Sequence, residues 1–203
     1  MIPRLVVASK NPDKIAEVED ILMGQGLVGE LVRGLTWADV PETGATLEEN
    51  ALLKARAVSR ETGLPALADD TGLEVVALGG RPGVYSARYA GEDATYADNV
   101  SKLLAEMAAA VDRRARFRTV VALVEPSGET WTAEGVLAGE ITREPRGDGG
   151  FGYDPVFEVE GRTLAELTPE EKNRISHRAR ALRALAERLS KDSPDGGEPL
   201  SER

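Results

Sequence analysis

Strand and helix patterns alternate along the first part of the chain, and this alternation limits the possible folds more than any other feature. A short unbroken apolar run predicts a buried strand at residues 5–8. Apolar residues at helical spacing predict a helix that follows Asn11 and ends at Gly24 and Gly26, and a second helix over residues 47–60. Chains of this kind bury their apolar faces by packing helices on a sheet, so we expect an α/β fold.

The later elements predict that the sheet is mixed. The same patterns predict further strands at residues 29–33, 65–68 and 73–78 and a third helix over residues 96–107. Two more strands, at residues 117–124 and 129–141, are separated by a Pro-Ser-Gly turn that is typical of a hairpin. A hairpin that follows alternating strands and helices indicates antiparallel pairing beside parallel pairing.

The composition excludes several kinds of site. The 203 residues include no cysteine and one histidine, His177, which excludes a disulfide scaffold, an iron–sulfur cluster, a thiol nucleophile and a metal site with several histidines. The net charge of −10 disfavours broad binding to nucleic acids, which normally requires a basic face. No apolar run suits a signal segment or a membrane span, so we expect a cytoplasmic protein without a membrane partner. We expect one domain over residues 1–190 and a disordered tail over residues 191–203, where apolar residues are scarce.

The loop between the first strand and the first helix is a candidate phosphate site. Asn11 is suited to cap the helix and Pro12 to occupy its first position, so that free backbone N–H groups face the loop. A helix N-terminus of this kind attracts anions, and Lys10 and Lys14 add positive charge. An ordinary strand–helix turn with exposed lysines is the alternative.

Two adjacent carboxylates, Asp69 and Asp70, follow the strand predicted at residues 65–68, and we expect residues 69–72 to form its polar end. Because neighbouring residues of a strand point to opposite faces, both carboxylates can reach one cleft only where the strand has ended. Neighbouring carboxylates need positive charge close by, which suits Mg²⁺ completed by substrate phosphates. A turn with two solvated acids is the alternative.

A glycine-rich segment over residues 149–155 carries two of the chain's few aromatic residues. Glycine lets a backbone approach a planar ligand closely, and Phe151 or Tyr153 is suited to stack on a base. Asp154 is suited to accept a hydrogen bond from a ring N–H. The alternative is a glycine-rich turn with two core aromatic residues.

A long helical pattern begins at Thr168 and extends to about Leu189. An unbroken helix places His177 away from its apolar stripe, which argues against a core histidine. Alternatively the helix breaks, and Ser176 caps a second helix that opens with His177 and Arg178. The segment is the basic region of an acidic chain, suited either to an anion or to a solvated basic face.

Together these segments resemble the inosine triphosphate pyrophosphatases, in the bacterial form of that family. The resemblance extends from about Leu5 to Leu189 and depends on the order and spacing of short motifs. These motifs are Ala8-Ser9-Lys10-Asn11-Pro12-Asp13-Lys14, Glu42-Thr43-Gly44, Glu49-Asn50-Ala51, Ala68-Asp69-Asp70-Thr71-Gly72-Leu73, Pro82-Gly83-Val84-Tyr85-Ser86-Ala87-Arg88, Gly150-Phe151-Gly152-Tyr153-Asp154-Pro155, Glu171-Lys172-Asn173 and Ser176-His177-Arg178.

The resemblance implies an elongated α/β fold around a central mixed sheet, with two lobes, a cleft between them and assembly as a homodimer. The implied reaction converts ITP, dITP or XTP and water into a nucleoside monophosphate and pyrophosphate, with Mg²⁺ as cofactor. Such a reaction keeps hypoxanthine and xanthine out of DNA and RNA.

The resemblance also implies a role for individual residues. Asp70 is the implied proton acceptor and Mg²⁺ ligand, and Glu42 is a second acid near the metal. The implied substrate contacts are Ser9, Lys10, Asn11, Pro12, Asp13 and Lys14 for the triphosphate, Phe151, Gly152, Tyr153 and Asp154 for the base, and Thr71, Lys172, His177 and Arg178 as further contacts. Lys10 departs from the family pattern, because many members have glycine there.

Other functions fit the same residues. A pyrophosphatase for modified pyrimidine triphosphates would use similar acids and lysines, and a non-catalytic sensor would bind the triphosphate without hydrolysing it. A nucleic-acid-binding module is disfavoured by the charge balance. A substrate panel and a test for pyrophosphate release separate these hypotheses.

Overall fold

The computed structural model describes residues 2–192. The strands are β1 (Ile2–Val7), β2 (Val28–Leu31), β3 (Ala66–Val75), β4 (Pro82–Gly83), β5 (Arg114–Val124), β6 (Thr130–Ile141), β7 (Phe157–Val159) and β8 (Arg162–Thr163). The α-helices are α1 (Pro12–Gln25), α2 (Leu47–Thr62), α3 (Tyr96–Glu106), α4 (Pro169–Ile175) and α5 (His177–Asp192). Of the tail predicted over residues 191–203, residues 193–203 lie outside the described range.

The eight strands form one mixed sheet in the order β2-β1-β3-β5-β6-β7-β8, with β4 paired to β3. β1 runs parallel to both β2 and β3, whereas β3, β5, β6, β7 and β8 pair antiparallel in turn. β5 and β6 form the predicted hairpin and remain paired from Val124–Thr130 to Arg114–Glu140. The predicted α/β class with a central mixed sheet is therefore confirmed.

β3 and β5 carry buried apolar side chains on both sides of a short polar stretch. In β3, Leu67 belongs to a buried cluster shared with α1 and α5, whereas Leu73 belongs to a second buried cluster shared with α3. Asp69 and Asp70 lie between these two residues, and Thr119 occupies the equivalent stretch of β5, opposite Thr71. The sheet thus has a polar belt, defined as Asp69, Asp70, Thr71 and Thr119, between two apolar ends.

The prediction that residues 69–72 end a strand is wrong. β3 is continuous from Ala66 to Val75, and Asp69 and Asp70 pair in register with Val121 and Val120 of β5. Asp, Thr and Gly resemble a turn because Asp and Gly are uncommon in strands. Here the strand tolerates the two acids because buried cations from α1, α2 and α5 neutralise them.

The C-terminal helical pattern is broken, as the second of the two alternatives predicted. Ser176 has an extended backbone with φ −60° and ψ 152°, and its Oγ accepts a hydrogen bond from the N–H of Ala179 at 3.1 Å. α5 therefore begins at His177 and turns its first residues onto the sheet. Gly135 of β6 permits this close approach, because a Cβ there would lie 2.1 Å from the carbonyl oxygen of His177.

The signals that begin the first helix and its end at Gly26 are confirmed, whereas Gly24 lies within its last turn. Asn11 caps α1, with its side-chain oxygen accepting from the N–H groups of Asp13 and Lys14, and Pro12 occupies the first helical position. Gly26 ends the helix in the left-handed region at φ 64°. Among residues 2–192, no helix combines the length and apolar content that crossing a bilayer requires.

Candidate active site

A cavity lies against the polar belt, between the two apolar ends of the sheet. Its walls come from α1, from Glu42 in the loop before α2, and from β3 and β5. The segment before α3, the glycine-rich loop and the start of α5 complete them. The predicted site residues that line it are Asn11, Lys14, Glu42, Asp70, Thr71, Phe151, Gly152, Tyr153, Asp154, Lys172, His177 and Arg178. Residues from six distant segments therefore share one cavity.

Asp70 is 5% exposed and is held on the α2 side of β3. Its Oδ2 accepts from Nδ2 of Asn50 at 3.1 Å, and its Oδ1 lies 3.3 Å from Nζ of Lys54. Burial raises the pKa of Asp70, although the cations Lys54 and Lys14 oppose this shift. A carboxylate of raised pKa is a stronger base than an ordinary aspartate, which suits it to accept a proton.

Lys54 joins Asp70 to a second carboxylate, Glu42. Its Nζ lies 2.6 Å from Oε1 of Glu42, and both side chains are largely buried. Burial alone would raise the pKa of Glu42, but Lys54, Lys14 and Arg88 lower it. Likewise, burial would lower the pKa of Lys54, but Asp70, Asp69 and Glu42 raise it. Both shifts favour the charged forms of Glu42 and Lys54.

Asp69 faces the other side of β3, toward α1 and α5. Its Oδ2 accepts from Nε and Nη2 of Arg178 at 3.2 and 3.1 Å and lies 3.3 Å from Nζ of Lys14. Burial would raise the pKa of Asp69, but Lys14, Arg178 and Lys54 hold it well below its usual range. Asp69 is thus permanently ionised, and it fixes two cations at the edge of the cavity.

A chain of alternating charges continues from Arg178 to the glycine-rich loop. Arg178 and Lys172 both bind Glu17 of α1, Lys172 at 2.5 Å. Lys172 also lies 2.5 Å from Oδ2 of Asp154, which accepts the N–H of Phe151 at 2.8 Å. The charges that surround the cavity therefore also fix the conformation of the loop that carries Phe151.

Phe151 and Tyr153 occupy different environments. The Phe151 ring faces Nζ of Lys172 at 4.6 Å and the guanidinium of Arg178 at 5.7 Å. Tyr153 is 5% exposed, and its hydroxyl donates to the carbonyl of Ser86 at 2.9 Å. Phe151 is thus the ring that remains half-buried at the cavity wall, whereas Tyr153 belongs mainly to the apolar cluster around α3.

His177 is buried, whereas the alternative of an unbroken helix placed it away from the apolar stripe. Its Nδ1 forms a 2.6 Å hydrogen bond with the hydroxyl of Thr119, and its ring packs on Phe117 with centroids 4.6 Å apart. The helix break produces this position, because it makes His177 the first residue of α5 rather than a mid-helix residue. Burial lowers the pKa of His177 well below its ordinary value of 6.5, assisted by Arg178 and Lys172.

We expect the stability of the protein to depend on His177 below pH 6.5. The unfolded chain takes up a proton there that the folded chain refuses, so the free energy of unfolding falls as the pH is lowered. Relative to a His177→Gln variant, the wild type should lose up to about 1.4 kcal/mol per pH unit between about pH 6 and pH 5. Urea unfolding at several pH values measures this difference.

The glutamine variant is the control that removes the contribution of the carboxylates. His177 is the only histidine of the chain, so the difference between the two pH profiles belongs to one imidazole. Parallel profiles would show that His177 is protonated as easily in the folded chain as in the unfolded one.

Four predicted phosphate contacts do not line this cavity. Ser9 and Lys10 line a separate pocket with Arg33 and Trp37, and Lys10 is bound to Asp39 at the surface. Pro12 begins α1, and the Asp13 carboxylate accepts a hydrogen bond from the hydroxyl of Tyr96. Their predicted contact with a triphosphate stays a prediction.

Four residues that surround the site were not predicted to belong to it: Glu17, Asn50, Lys54 and Tyr96. Asn50 and Lys54 lie four residues apart in α2 and therefore on one face, and Glu17 lies three residues after Lys14 in α1. Helical spacing from a known site residue was thus the signal that could have found Glu17. Tyr96 carries no such signal in the sequence.

The acids of the cavity fit a hard divalent cation only in part. Glu42 and Asp70 converge on one Nζ, which shows that their oxygens lie close to a common point. Across residues 2–192, no three or more Asp, Glu, His or Cys side chains form a metal-ligand group. Two carboxylates alone would leave most of the coordination shell of such an ion to other oxygens.

The mixed-sheet α/β fold places both carboxylates and cations around one cavity. The model of the Ham1 family matches residues 5–188. The chain therefore belongs to the Ham1 family, which agrees with the resemblance found in its motifs.

Sequence relatives and solved structures agree with this assignment. A protein of Symbiobacterium thermophilum named dITP/XTP pyrophosphatase is 54% identical over 192 residues, covering 92% of this chain and 94% of the relative. One of the same name from Geobacillus kaustophilus is 50% identical over 188 residues, covering 90% and 92%. The structure of the Staphylococcus aureus Ham1 protein has a TM-score of 0.81 at 41% identity, covering 94% of this chain and all of that one. A Coxiella burnetii HAM1 protein has a TM-score of 0.82 at 46% identity and the same coverage.

Proposed function

We propose that this protein hydrolyses deaminated purine nucleoside triphosphates, namely ITP, dITP and XTP, to a nucleoside monophosphate and pyrophosphate. The observation that carries the proposal is the convergence of Asp70, Lys14 and Lys172 on one cavity, with Lys54 bound to Asp70 behind it. The names of relatives at about half identity supply the substrate class.

Asp70 acts on the water in this proposal. The water oxygen forms a bond to the α-phosphorus, and the bond from that phosphorus to the bridging oxygen breaks, which releases pyrophosphate. Asp70 accepts the proton that the water loses, a role favoured by its raised pKa. Lys14, Lys172 and Arg178 place positive charge around the negative phosphates within an otherwise acidic molecule.

Mg²⁺ is the proposed cofactor, and Glu42 and Asp70 are the residues that would hold it. When bound, such an ion neutralises phosphate charge and stabilises the leaving pyrophosphate. The ammonium group of Lys54 keeps the two carboxylates together before any ligand enters.

Selection for the 6-oxo edge follows from hydrogen-bond polarity. Hypoxanthine and xanthine present an acceptor, O6, where adenine presents an amino donor. A backbone N–H of the glycine-rich loop, or Nε2 of His177, would donate to O6 and leave adenine unpaired. Phe151 is the proposed stacking partner for the base, since its face already attracts cations and planar groups.

Assembly as a homodimer and action in the cytoplasm complete the proposal. Both are properties that the family resemblance implies, and light scattering of the purified protein tests the first directly. Neither affects the chemistry argued for the cavity of one protomer.

We expect pyrophosphate release from ITP and XTP to exceed release from ATP by at least about 100-fold, because a site built to donate to O6 leaves its donor unpaired on adenine. Removal of Mg²⁺ with a chelator should abolish release, and restoring Mg²⁺ should recover it. A coupled pyrophosphate assay with ITP, XTP, GTP, ATP, dTTP and UTP measures both effects.

The same panel separates the rival functions. Preferential turnover of dTTP or UTP would identify a pyrimidine triphosphate pyrophosphatase instead. Saturable binding of ITP without pyrophosphate release in the presence of Mg²⁺ would identify a nucleotide sensor.

A further inference from the structure

Tyr96 connects α3 to α1, two helices that pack in different apolar clusters on either side of the cavity. It is the first residue of α3, whose buried face packs in the cluster with Leu73 through Val100 and Leu103. Its hydroxyl accepts from Nδ2 of Asn11 at 2.9 Å and lies 3.1 Å from Oδ2 of Asp13, to which it donates. A side chain from α3 is therefore bound to the first turn of α1.

The contact with Asn11 bears on the phosphate end of the cavity. Asn11 Oδ1 accepts from the N–H of Asp13 at 2.9 Å and from that of Lys14 at 3.3 Å, which leaves Nδ2 for Tyr96. The tyrosine hydroxyl thus fixes which way the Asn11 amide points. That amide in turn holds the first turn of α1, the end of the helix that attracts anions.

The ring of Tyr96 bears on the other end of the cavity. It lies 6.0 Å from the Phe151 ring, centroid to centroid, with the planes inclined at 40°. Both rings line the cavity. Tyr96 therefore touches the residue proposed to hold the base as well as the helix end proposed to hold the phosphates.

The contacts of Tyr96 contribute little to the stability of the fold. Tyr96 is 43% exposed, so its ring adds little to the core. α3 is already fixed at this end by a capping box in which Thr95 and Asp98 satisfy each other's backbone N–H groups. The hydrogen bonds of Tyr96 thus serve the shape of the cavity more than the stability of α3.

We propose that Tyr96 is a positioning residue for the nucleotide, acting through Asn11 on the phosphate end and through Phe151 on the base end. This inference rests on the proposed function for the identity of the nucleotide. It adds to the candidate site a residue that no sequence motif indicated. The Tyr96 hydroxyl acts at the phosphate end of the ligand, and the Tyr96 ring acts at the base end.

The test compares Tyr96→Phe with a matched loss of a hydroxyl, Tyr89→Phe. The Tyr89 hydroxyl donates at 2.6 Å to Glu106, the last residue of α3, and Tyr89 is not among the residues that line the cavity. We expect Tyr96→Phe to raise the KM for ITP about 3- to 10-fold, the value of the one hydrogen bond that orients Asn11, with kcat within about twofold of wild type. Tyr89→Phe should leave both constants unchanged.

Calorimetric binding of inorganic pyrophosphate in the presence of Mg²⁺ isolates the phosphate end. Tyr96→Phe should weaken pyrophosphate binding by about the same 3- to 10-fold factor, since the probe carries no base. Tyr96→Ala should weaken pyrophosphate no further but raise the KM for ITP beyond that of Tyr96→Phe. Pyrophosphate binding needs no turnover, so a failure of ITP hydrolysis would reject the proposed function and leave this test in place.

Three results would overturn the assignment or one part of it. One is unchanged pyrophosphate affinity in Tyr96→Phe, which would remove the role of the hydroxyl. Another is a rise in KM accompanied by a matching fall in the melting temperature, which would reduce Tyr96 to a structural residue. Equal KM values in Tyr96→Phe and Tyr96→Ala would reject the part assigned to the ring.

Discussion

Replacing Asp70 with asparagine is expected to lower pyrophosphate release from ITP by at least about 1,000-fold while nucleotide binding is largely retained. The side chain keeps its size and its hydrogen bond to Asn50, but it loses the basicity that burial confers on the carboxylate. Lys54 remains neutralised by Glu42 at 2.6 Å, so the variant should fold. Pyrophosphate release and ITP affinity are measured on the same preparation.

Two controls separate a role in proton transfer from a role in holding the metal. Raising the Mg²⁺ concentration should not restore the rate if the missing function is that of the base. Asp112→Asn removes a carboxylate that is paired with Arg114 away from the cavity, and it should leave the rate unchanged. Near wild-type turnover of Asp70→Asn would reject the assigned role of Asp70.

Local signals predicted the helices better than the strands. Asn11, Pro12 and Gly26 determine the ends of α1 through the local preferences of their residue types. Such preferences can be recognised from the sequence alone. The interior of β3 was missed because Asp69 and Asp70 contradict the preferences of a strand. The free-energy cost of burying these two carboxylates is offset by cations from α1, α2 and α5. These cations are distant in the sequence, so the local pattern around Asp69 and Asp70 does not indicate them.

The site was predicted through motif resemblance, and its omissions have a physical reason. Asp70, Lys172 and Arg178 belong to distinctive motifs, and the structure brings them to one cavity. Lys54 and Glu17 were missed because they act by bridging charges whose proximity exists only in the folded chain. Lys10 is bound to Asp39 at the surface, and its predicted contact with a phosphate stays a prediction.

Replacing Arg178 with methionine is expected to destabilise the protein by about 3 kcal/mol or more, because it leaves buried carboxylates without their partner. Arg178 is 1% exposed, and its guanidinium binds both Asp69 and Glu17. Lys14 and Lys172 remain beside these two acids, which keeps the expected loss near the low end of the range for a broken buried pair. Urea unfolding measures the change.

Arg188→Met provides the control on the same helix, and it should cost no more than about 0.5 kcal/mol because Arg188 is exposed.

The double variant Arg178→Met, Asp69→Asn tests whether the orphaned charge is the cause. If the loss arises from an unpaired carboxylate, removing the charge of Asp69 should restore about 1–3 kcal/mol of the free energy of unfolding relative to Arg178→Met alone. Additive losses in the double variant would instead attribute the effect to packing of the arginine side chain. A cost below about 1 kcal/mol in the single variant would mean that Lys14 and Lys172 neutralise the two acids on their own. Arg178 would then be required for the ligand rather than for the fold.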